Sequence, residues 1–315
     1  MKIVCGFISY NKDTLKYLPY FLPSLKKSLT NIDQTKILAV DNSENFSSNI
    51  EYIKENYPEI DIIHQGVNLG FAVAYNLMIE RAIYLRADYF LVINPDIIFD
   101  YRAIYLLYRA LEKNTSLSAV SPKILNWPYP ENKFSSTIDS LGIIEKKALR
   151  FIDKAQGKLD SKDFDDKILA PSGAAGLFRL GDLKELKTKH GYYDQRMFLY
   201  KEDVDLAYRM KLRGYKSATV LEAVVAHDRS LKSDTKSFFL SFKNRNEKSK
   251  FGRSQSFLNQ HILYLKYFSL QSFYYKIIII FRIILLFSFA LLKERFLLKN
   301  YLKIVKIRRE IKKQE

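Results

Sequence analysis

Short apolar runs alternate with stretches of helical periodicity along the N-terminal third of the chain. Four of these runs have the length expected of buried strands and occupy residues 3–9, 36–41, 61–64 and 89–94. The stretches between them repeat apolar positions at helical spacing and occupy residues 14–29, 47–57 and 71–86. This alternation predicts an α/β fold in which helices cover a mixed, mainly parallel sheet.

The middle of the chain interrupts this alternation. Residues 126–166 are polar and rich in lysine and aspartate, so we expect an excursion from the sheet, and a hairpin is one form that it could take. The pattern then resumes with a strand, a helix and two short strands, predicted at residues 173–180, 202–213, 216–220 and 223–226. We expect these elements to complete the sheet.

The C-terminal part of the chain has a different character, since it becomes basic and aromatic after about residue 235. Residues 277–292 form an apolar stretch of 16 residues with one charge, Arg282, slightly short for a membrane-spanning helix. Residues 293–315 then carry nine lysines and arginines against three glutamates. An apolar helix followed by a basic one predicts a segment lying at the surface of an anionic membrane. A buried hairpin helix or a contact in a homo-oligomer are the alternatives.

Net charge indicates the kind of partner that this protein binds, and cysteine content indicates the cellular compartment in which it occurs. The formal net charge is +17, which favours polyanionic partners such as nucleic acid, phosphate-bearing substrates or an anionic membrane. The single cysteine, Cys5, excludes an internal disulfide and fits a reducing compartment. The first apolar run is too short and too quickly polar for a secretory signal, so we expect a cytoplasmic protein. Neither GxGxxG nor GxxxxGK[ST] occurs, so the usual dinucleotide and P-loop cradles are missing.

Polar residues follow the predicted strands at their carboxyl ends, which is where open α/β sheets bind ligands. Asp41 could contact a nucleotide, or it could cap a turn or helix. Asn68 and Gly70 precede the third predicted helix, and a glycine there would allow close approach of backbone to a ligand. Asn76 is a polar position among small alanines, which suits a ligand wall or an ordinary packing helix.

Two further strand ends carry candidate metal ligands. In the triplet Asn94-Pro95-Asp96 the proline cannot continue a central strand, so Asp96 is presented just beyond it. A carboxylate in that place suits Mg²⁺ or Mn²⁺ bound to a diphosphate, although the triplet also makes a good turn. His227 ends the last predicted strand and is a second candidate ligand, with a structural histidine as the alternative.

The segment of residues 192–215 is the richest in carboxylates. It contains Asp194, Glu202, Asp203 and Asp205, of which Glu202 and Asp203 fall in the first turn of a predicted helix. A carboxylate at the mouth of a site is a candidate general base. The alternative is a well-capped helix in which Asp205 and Arg209 form an i,i+4 ion pair.

Taken in order, these motifs resemble the family 2 glycosyltransferases, which have the GT-A fold. Within that family the chain is similar to the rhamnosyltransferase-like branch, which builds bacterial surface polysaccharides. The matching motifs span residues 1–230 and are Ser9-Tyr10-Asn11, "VDNSE", "NLGFAVAYN", "NPD", "GAAGLFR" and "FLYKEDVDLAYR", followed by His227. The resemblance implies a GT-A catalytic domain over residues 1–235 and a helical, basic, membrane-associating region over residues 236–315.

The resemblance also implies roles for individual residues. Asp203 would be the catalytic base, with Glu202 beside it, and Asp96 and His227 would bind Mg²⁺ or Mn²⁺. The donor pocket would comprise Ser9, Tyr10, Asn11, Asp41, Asn68, Gly70, Asn76, Asn94 and Asp96. The sugar and acceptor side would be lined by Gly173, Ala174, Ala175 and Gly176. Asn94 replaces the first aspartate of the wider superfamily's Asp-x-Asp motif, which leaves the metal site with one charge fewer.

These roles imply an inverting, metal-dependent transfer of a sugar from a nucleotide donor to a surface-polysaccharide or lipid-linked glycan acceptor. The donor suggested by the resemblance is dTDP-rhamnose, with galactofuranose, N-acetylglucosamine and glucose donors left open. The enzyme would sit peripherally at the inner face of the cell membrane. One alternative is an inactive relative that binds glycan or organises an assembly complex. A nucleic-acid-binding protein is the other, but no such motif occurs, and we expect no nucleic-acid partner.

Overall fold

The computed structural model describes residues 1–131, 133–161, 163–229 and 249–312. Its strands are β1 (Lys2–Ser9), β2 (Gln34–Asp41), β3 (Asp61–His64), β4 (Tyr89–Ile93), β5 (Ile97–Phe99), β6 (Leu117–Asn126), β7 (Ile138–Ser140), β8 (Ile143–Lys146), β9 (Arg150–Asp153), β10 (Lys167–Ile168), β11 (Ala175–Arg179) and β12 (Lys216–His227). Its helices are α1 (Asn11–Leu15), α2 (Leu18–Leu29), α3 (Ser48–Asn56), α4 (Gly70–Tyr84), α5 (Ala103–Lys113), α6 (Leu180–Glu185), α7 (Glu202–Leu212), α8 (Lys250–Tyr267), α9 (Phe273–Leu292) and α10 (Asn300–Lys312), with a 3₁₀ turn at Arg295–Lys299. The expected domain boundary at residue 235 lies outside the described residues, so the two-domain division stays a prediction.

A mixed sheet with the strand order β10-β12-β6-β11-β4-β1-β2-β3 forms the centre of the molecule. Strands β4, β1, β2 and β3 run parallel, and β11 runs antiparallel between β4 and β6. In the parallel part Ser9 pairs with Asp41, and Asp41 pairs with His64. The carboxyl ends of these strands therefore lie at one edge, where the polar residues that follow them meet.

Both faces of the sheet are buried. Along β1, Ile3, Cys5 and Phe7 belong to one apolar cluster, while Val4 belongs to the other. Such burial explains why β1 is a continuous apolar run rather than an alternating one. Helices α2 and α5 contribute to the first cluster, and α4, α7 and α8 contribute to the second. The site therefore rests on a sheet that is covered on both sides.

Several predicted elements are divided or joined differently in the structure. The predicted helix at residues 14–29 is split into α1 and α2, and α2 begins with a proline in its first turn, where proline is tolerated. The two strands predicted at residues 216–220 and 223–226 are one strand, β12, with a register shift between Val220 and Val224. A β-bulge of this kind breaks the apolar pattern without ending the strand.

The polar excursion at residues 126–166 contains the predicted hairpin, formed by β8 and β9. It also contributes β7, which pairs with β6 and so joins the main sheet. Ser140 Oγ, at the end of β7, donates a hydrogen bond of 2.8 Å to the Asp153 carboxylate of β9. The excursion is thus packed against the edge of the sheet where the site lies.

Helix α9 is longer than the predicted apolar stretch, at 20 residues. It is the one helix in the described ranges that is long and apolar enough to cross a membrane by length and composition. One side of it packs on the rest of the protein, because Ile279 and Ala290 are fully buried and Arg282 donates a 2.7 Å hydrogen bond to the Ala148 carbonyl. The other side is exposed over most of its length.

Candidate active site at the carboxyl edge of the sheet

Asp96 and His227 come together although 131 residues of sequence separate them. Asp96 lies in the turn between β4 and β5, and β5 pairs with the end of β12, where His227 pairs with Ile97. Asp96 Oδ1 is buried and 3.2 Å from His227 Nε2, and it has no hydrogen-bond partner other than this ring among the described residues. Pro95 ends β4 as predicted from the sequence, and the Asn94 N–H donates to the Ala174 carbonyl at 2.8 Å.

This pair fits two ligands of one divalent cation. Ligands bound at about 2.1 Å and at right angles on an octahedral ion are about 3 Å apart, close to the separation of Asp96 Oδ1 and His227 Nε2. A buried acceptor oxygen whose one close partner is this ring is also what a bound cation would satisfy. Among the described residues, no group of three or more histidine, cysteine, aspartate or glutamate side chains could hold a metal ion. The protein would therefore supply only part of the coordination, and donor phosphate and water would supply the rest.

Asp139 holds the other side of the His227 ring. Its carboxylate lies 2.9 Å from His227 Nδ1 and 2.9 Å from Arg229 Nε, and Arg229 also contacts Asp153 at 3.0 Å. Burial opposes protonation of His227, but the carboxylates of Asp96 and Asp139 raise its pKa to about 10. Without a cation the ring therefore carries a proton at Nε2, and a metal ion would take the place of that proton.

Asp203 lies at the start of α7, as predicted from the sequence. Its Oδ2 accepts a 3.0 Å hydrogen bond from the Gly173 N–H, and its Oδ1 accepts a 2.8 Å hydrogen bond from the Val204 N–H. Burial raises the pKa of this carboxyl, and the two N–H groups oppose that effect. A carboxylate with a raised pKa and a fixed direction has the properties of a general base.

Glu202 is more deeply buried than Asp203, with 4% of its surface exposed. Burial and, after it, the neighbouring charge of Asp203 raise its pKa well above the ordinary range. Its Oε2 has no hydrogen-bond partner among the described residues. The two adjacent carboxyls are therefore different chemically, and Asp203 is the one that ionises more readily.

The metal-ligand candidates and the base candidate belong to one continuous site. Backbone hydrogen bonds connect them through two adjacent residues. The Gly173 N–H donates to Asp203 at 3.0 Å, and the Ala174 carbonyl accepts from the Asn94 N–H at 2.8 Å, two residues before Asp96. The structure thus brings together Asp96, Glu202, Asp203 and His227.

Asp41, the predicted contact to the nucleotide, has no exposed surface. It accepts hydrogen bonds from Ser9 Oγ at 2.6 Å, Ser47 Oγ at 2.9 Å and the Ser43 N–H at 3.1 Å. It organises the strand ends, and it would have to give up some of these bonds to reach a nucleotide. Of the neighbouring donor candidates, Ser9 is buried with Asp41, whereas Tyr10 is 38% exposed and Asn11 is exposed beside it.

The glycine at position 70 is required by the protein itself. Gly70 has φ +70°, and a Cβ there would lie 2.5 Å from the Phe198 carbonyl oxygen. That carbonyl accepts a 2.8 Å hydrogen bond from the Phe71 N–H, and Asn68 Oδ1 accepts one from the Gly70 N–H at 2.9 Å. The sequence suggested that a ligand approaches Gly70 closely. In the structure, the segment that leads to Asp203 makes that approach through Phe198.

Asn76 also anchors that segment. Its Nδ2 donates to the Tyr193 carbonyl at 2.8 Å, and its Oδ1 accepts from the Tyr193 N–H at 2.9 Å. Because its whole amide group is engaged within the protein, the geometry favours the packing role over the ligand wall that the sequence suggested. The same two bonds fix the direction in which the chain enters residues 194–203.

The four residues predicted to line the sugar and acceptor side differ in exposure. Gly173 is partly accessible, whereas Ala174, Ala175 and Gly176 are buried. A Cβ on Gly176 would collide with the ring of Pro171, so that glycine is needed for packing. A Cβ on Gly173 would lie 3.3 Å from Asp203 Oδ2, which makes Gly173 the position that borders the base.

No motif in the sequence distinguishes Asp139, Asp153 or Arg229 as site residues. Asp139 and Asp153 lie in the polar excursion, which looked like a surface insertion, and their partners His227 and Arg229 are 76 to 90 residues away along the chain. The one available signal was the position of Arg229 two residues after His227, at the end of a strand. Arginine beside a metal-ligand candidate is a common arrangement for binding phosphate.

Comparisons with known proteins agree with this geometry. The profile of the family described as "Glycosyl transferase family 2" matches residues 6–186, which is more than half of the chain. No curated protein sequence matches significantly. The GT-A glycosyltransferase fold is shared with the crystal structure of S. aureus TarS, at a TM-score of 0.51 and 14% identity over 85% of this chain and 44% of that one.

Two further crystal structures have the same degree of similarity. That of GalNAc-T7 with UDP, GalNAc and Mn²⁺ has a TM-score of 0.51 and 13% identity over 72% of this chain and 44% of that one. That of S. aureus TarS 1-349 has a TM-score of 0.51 and 13% identity over 83% of this chain and 80% of that one. The chain thus spans less than half the length of full TarS and of GalNAc-T7. On the profile match over residues 6–186 and the GT-A fold, the chain belongs to glycosyl transferase family 2.

Proposed function

We propose that this chain transfers a sugar from a nucleotide-sugar donor to an acceptor hydroxyl, with inversion at the anomeric carbon. The observation that carries the proposal is Asp203, a half-buried carboxylate with a raised pKa, aimed by the Gly173 N–H at the edge where Asp96 and His227 meet. Such a transfer requires a carboxylate that can accept a proton beside a place for the diphosphate. Asp203 would supply the first, and Asp96 and His227 the second.

The reaction needs one proton transfer and one displacement. The acceptor oxygen attacks the anomeric carbon while Asp203 takes the hydroxyl proton. The bond from that carbon to the diphosphate breaks, and the nucleoside diphosphate leaves with the electron pair. Because a direct displacement uses a base rather than a carboxylate nucleophile, a single ionised carboxylate is sufficient.

Asp96 and His227 would hold Mg²⁺ or Mn²⁺, which stabilises charge on the departing diphosphate when bound. Asp139 orients the His227 ring through Nδ1 and leaves Nε2 directed at Asp96. Arg229, fixed between Asp139 and Asp153, adds a cation next to the phosphate position. Metal dependence is part of the proposal, together with dTDP-rhamnose as the first donor to be tested.

The acceptor proposed is a surface-polysaccharide or lipid-linked glycan at the inner face of the membrane. The exposed side of α9 carries apolar residues spaced three and four apart, among them Phe273, Ile277, Phe281 and Ile284. Basic residues of the 3₁₀ turn and α10 follow directly. Apolar side chains beside a cationic surface match an anionic bilayer, and the packed side of α9 favours a helix lying on the membrane rather than crossing it.

Asp203→Asn tests the proposal. We expect kcat to fall at least a hundredfold, since a lost general base removes about 10²–10⁴ of the rate. The donor Kd, measured by calorimetry with Mn²⁺, should stay within a few-fold of wild type. Asp33→Asn, at an exposed position at the opposite edge of the sheet, is the matched control. Undiminished turnover of Asp203→Asn would remove it from the base role.

A donor screen comes before that measurement. Thermal shift with Mn²⁺ and each of dTDP-rhamnose, UDP-galactofuranose, UDP-N-acetylglucosamine and UDP-glucose should identify the donor that stabilises the fold most. Slow donor hydrolysis without acceptor would support an enzyme. Binding with no hydrolysis and no transfer would favour an inactive relative that serves as a glycan-binding or assembly protein.

A further inference from the structure

A strained turn precedes the base candidate. Tyr200 has φ +71° and Lys201 has φ +69°, so two consecutive residues other than glycine adopt the left-handed region. For L-residues this conformation costs roughly 1–2 kcal/mol each. Lys201 directly precedes Glu202, the first residue of α7, and its carbonyl accepts the 2.9 Å hydrogen bond of the Asp205 N–H. The turn therefore sets the point at which α7 begins.

Two hydrogen-bond partners hold this turn from opposite sides. On one side, the Phe71 N–H at the start of α4 donates to the Phe198 carbonyl at 2.8 Å. On the other side, Asn259 of α8 donates through Nδ2 to the carbonyls of Leu199 at 2.9 Å and Tyr200 at 2.6 Å. Strained conformations persist only where the surroundings determine them, and these bonds do so here.

Asn259 is an unusual residue for its position on α8. Its side chain has no exposed surface, and its neighbours on the helix, Leu258 and Ile262, belong to the apolar core. Burying an amide in such a place is unfavourable unless it is hydrogen-bonded. Asn259 Nδ2 donates to the two carbonyls of the turn. These hydrogen bonds link the buried amide to the segment before Asp203.

We propose that Asn259 is a positioning residue for sugar transfer, because it holds the left-handed turn that aims Asp203 at Gly173 and the acceptor. The inference rests on the proposed role of Asp203 as the base. An α-helix advances about 100° per residue, so relaxation of Tyr200 or Lys201 would rotate the first turn of α7 and carry the Asp203 carboxylate away from the Gly173 N–H. Helix α8 thereby contributes to the active site from the region that the sequence assigned to the tail.

The test compares Asn259→Ala with a matched control, Asn300→Ala. Asn300 is also a buried asparagine of the C-terminal region, but its side chain bonds to Ser254 of α8. For Asn259→Ala we expect kcat to fall at least tenfold with the donor Kd unchanged within twofold. The acid limb of the kcat–pH profile should move to lower pH, since a loosened turn admits water to Asp203. For Asn300→Ala, kcat, the donor Kd and the acid limb of the profile should all stay at wild-type values.

A rescue variant separates positioning from a general loss of packing. Glycine adopts positive φ without strain, so Lys201→Gly combined with Asn259→Ala should recover kcat several-fold over Asn259→Ala alone. If Asn259→Ala is not folded by circular dichroism, Asn259→Ser, which keeps a small donor, takes its place in the same comparison. A kcat within twofold of wild type and an unmoved acid limb would overturn the inference.

The result is distinguishable from failure of the proposed function. If Asp203→Asn is inactive while Asn259→Ala behaves as wild type, only the positioning role fails. If Asp203→Asn keeps its turnover, the base assignment fails, and a loss in Asn259→Ala would then have to arise elsewhere, which overturns the inference as well. A loss of kcat in both variants, with recovery when Lys201→Gly is combined with Asn259→Ala, supports the base role of Asp203 and the positioning role of Asn259.

Discussion

At the scale of single residues, the two adjacent carboxyls at the start of α7 have different environments. Glu202 is almost completely buried with an unpartnered oxygen, whereas Asp203 is held by two N–H groups. The pKa of Glu202 is raised mainly by burial and then by the charge of Asp203. Burial thus opposes ionisation of Glu202 more strongly than that of Asp203, and Asp203 is the carboxyl of the pair that ionises more readily.

Glu202→Gln should keep or increase stability at neutral pH. Because the folded state raises the pKa of Glu202, ionisation opposes folding, and wild-type stability falls as pH rises from the unfolded pKa of about 4.3 through the folded one. A neutral amide removes this loss. The free energy of unfolding of Glu202→Gln, relative to that of the wild type, should therefore increase from pH 5 to pH 8. Urea unfolding measures it, with Glu185→Gln, at an exposed position, as control. A loss above about 1 kcal/mol at pH 7 would contradict this picture.

At the scale of elements, α8 is fastened to the segment that carries the base candidate. Lys266 lies 2.9 Å from the Asp194 carboxylate and also pairs with Asp205, and Tyr267 Oη donates to Asp205 at 2.7 Å. Asp205 has no exposed surface. Burial alone would raise the pKa of Asp205, but Lys266 and Arg209 more than offset it, and its pKa is lowered.

Lys266→Ala should destabilise the protein by about 2–3 kcal/mol at pH 7. Breaking a buried ion pair costs about 3–5 kcal/mol, and here Arg196 and Arg209 remain to compensate the carboxylates in part. Since the pKa values of Asp194 and Asp205 are lowered, the contribution is present above about pH 4 and is lost as pH falls through the folded pKa values. Urea unfolding at pH 7 and at about pH 2.5, below the unfolded carboxyl pKa of about 3.9, measures both effects.

The control for this prediction lies on the same helix. Lys250→Ala removes an exposed lysine at the start of α8 and should change stability by less than about 0.5 kcal/mol. Equal effects of the two substitutions, or an effect of Lys266→Ala that does not decrease at the lower pH, would show that the ion pairs do not fasten α8 to α7.

At the scale of the whole molecule, the C-terminal helices connect the site to the exposed side of α9. Helix α8 contacts the turn before Asp203, and α9 packs its buried side on the protein through Ile279 and Ala290. Removing residues 272–315 would therefore uncover core residues as well as remove the proposed membrane contact. Point substitutions on the exposed side of α9 are the cleaner test of membrane binding.

Phe281→Glu combined with Ile284→Glu should weaken binding to vesicles that contain anionic phospholipid by more than tenfold. These side chains are 60% and 55% exposed, and burying each in a bilayer contributes about 1.5–3 kcal/mol. Binding of the wild type should also weaken as salt rises, because the cationic surface is screened. Vesicle sedimentation measures both, with catalytic turnover on a soluble acceptor as a check of folding.

A matched double variant places the same charges elsewhere. Tyr84→Glu combined with Leu212→Glu changes two exposed side chains outside the C-terminal helices, at 75% and 51% exposure, and should leave vesicle binding unchanged. Unaltered sedimentation of the α9 variant, or equal losses in both, would rule out α9 as the membrane contact.

Local pattern determined most of the secondary structure. The strand at Asp61–His64 has the predicted bounds, and β1, β2, β4 and α7 differ from prediction by one or two residues at an end. The physical reason is that an apolar run buried on both faces, or an apolar stripe at helical spacing, leaves few alternatives. Motif order along the chain likewise placed Asp96 and His227 at strand ends, and they meet because the ends of neighbouring strands lie at one edge of the sheet. Their roles and that of Asp203 stay predictions.

Only the tertiary structure decided what those residues touch. Gly70 and Gly176 looked like openings for a ligand, and they are small because Phe198 and Pro171 come close to them. Asp139 lay in an apparent surface insertion and orients His227 from 88 residues away. Asn259 lay in an apparent tail and holds the turn before Asp203. Sequence patterns report local burial and spacing, whereas these contacts join distant segments whose pairing depends on how the sheet and its helices pack.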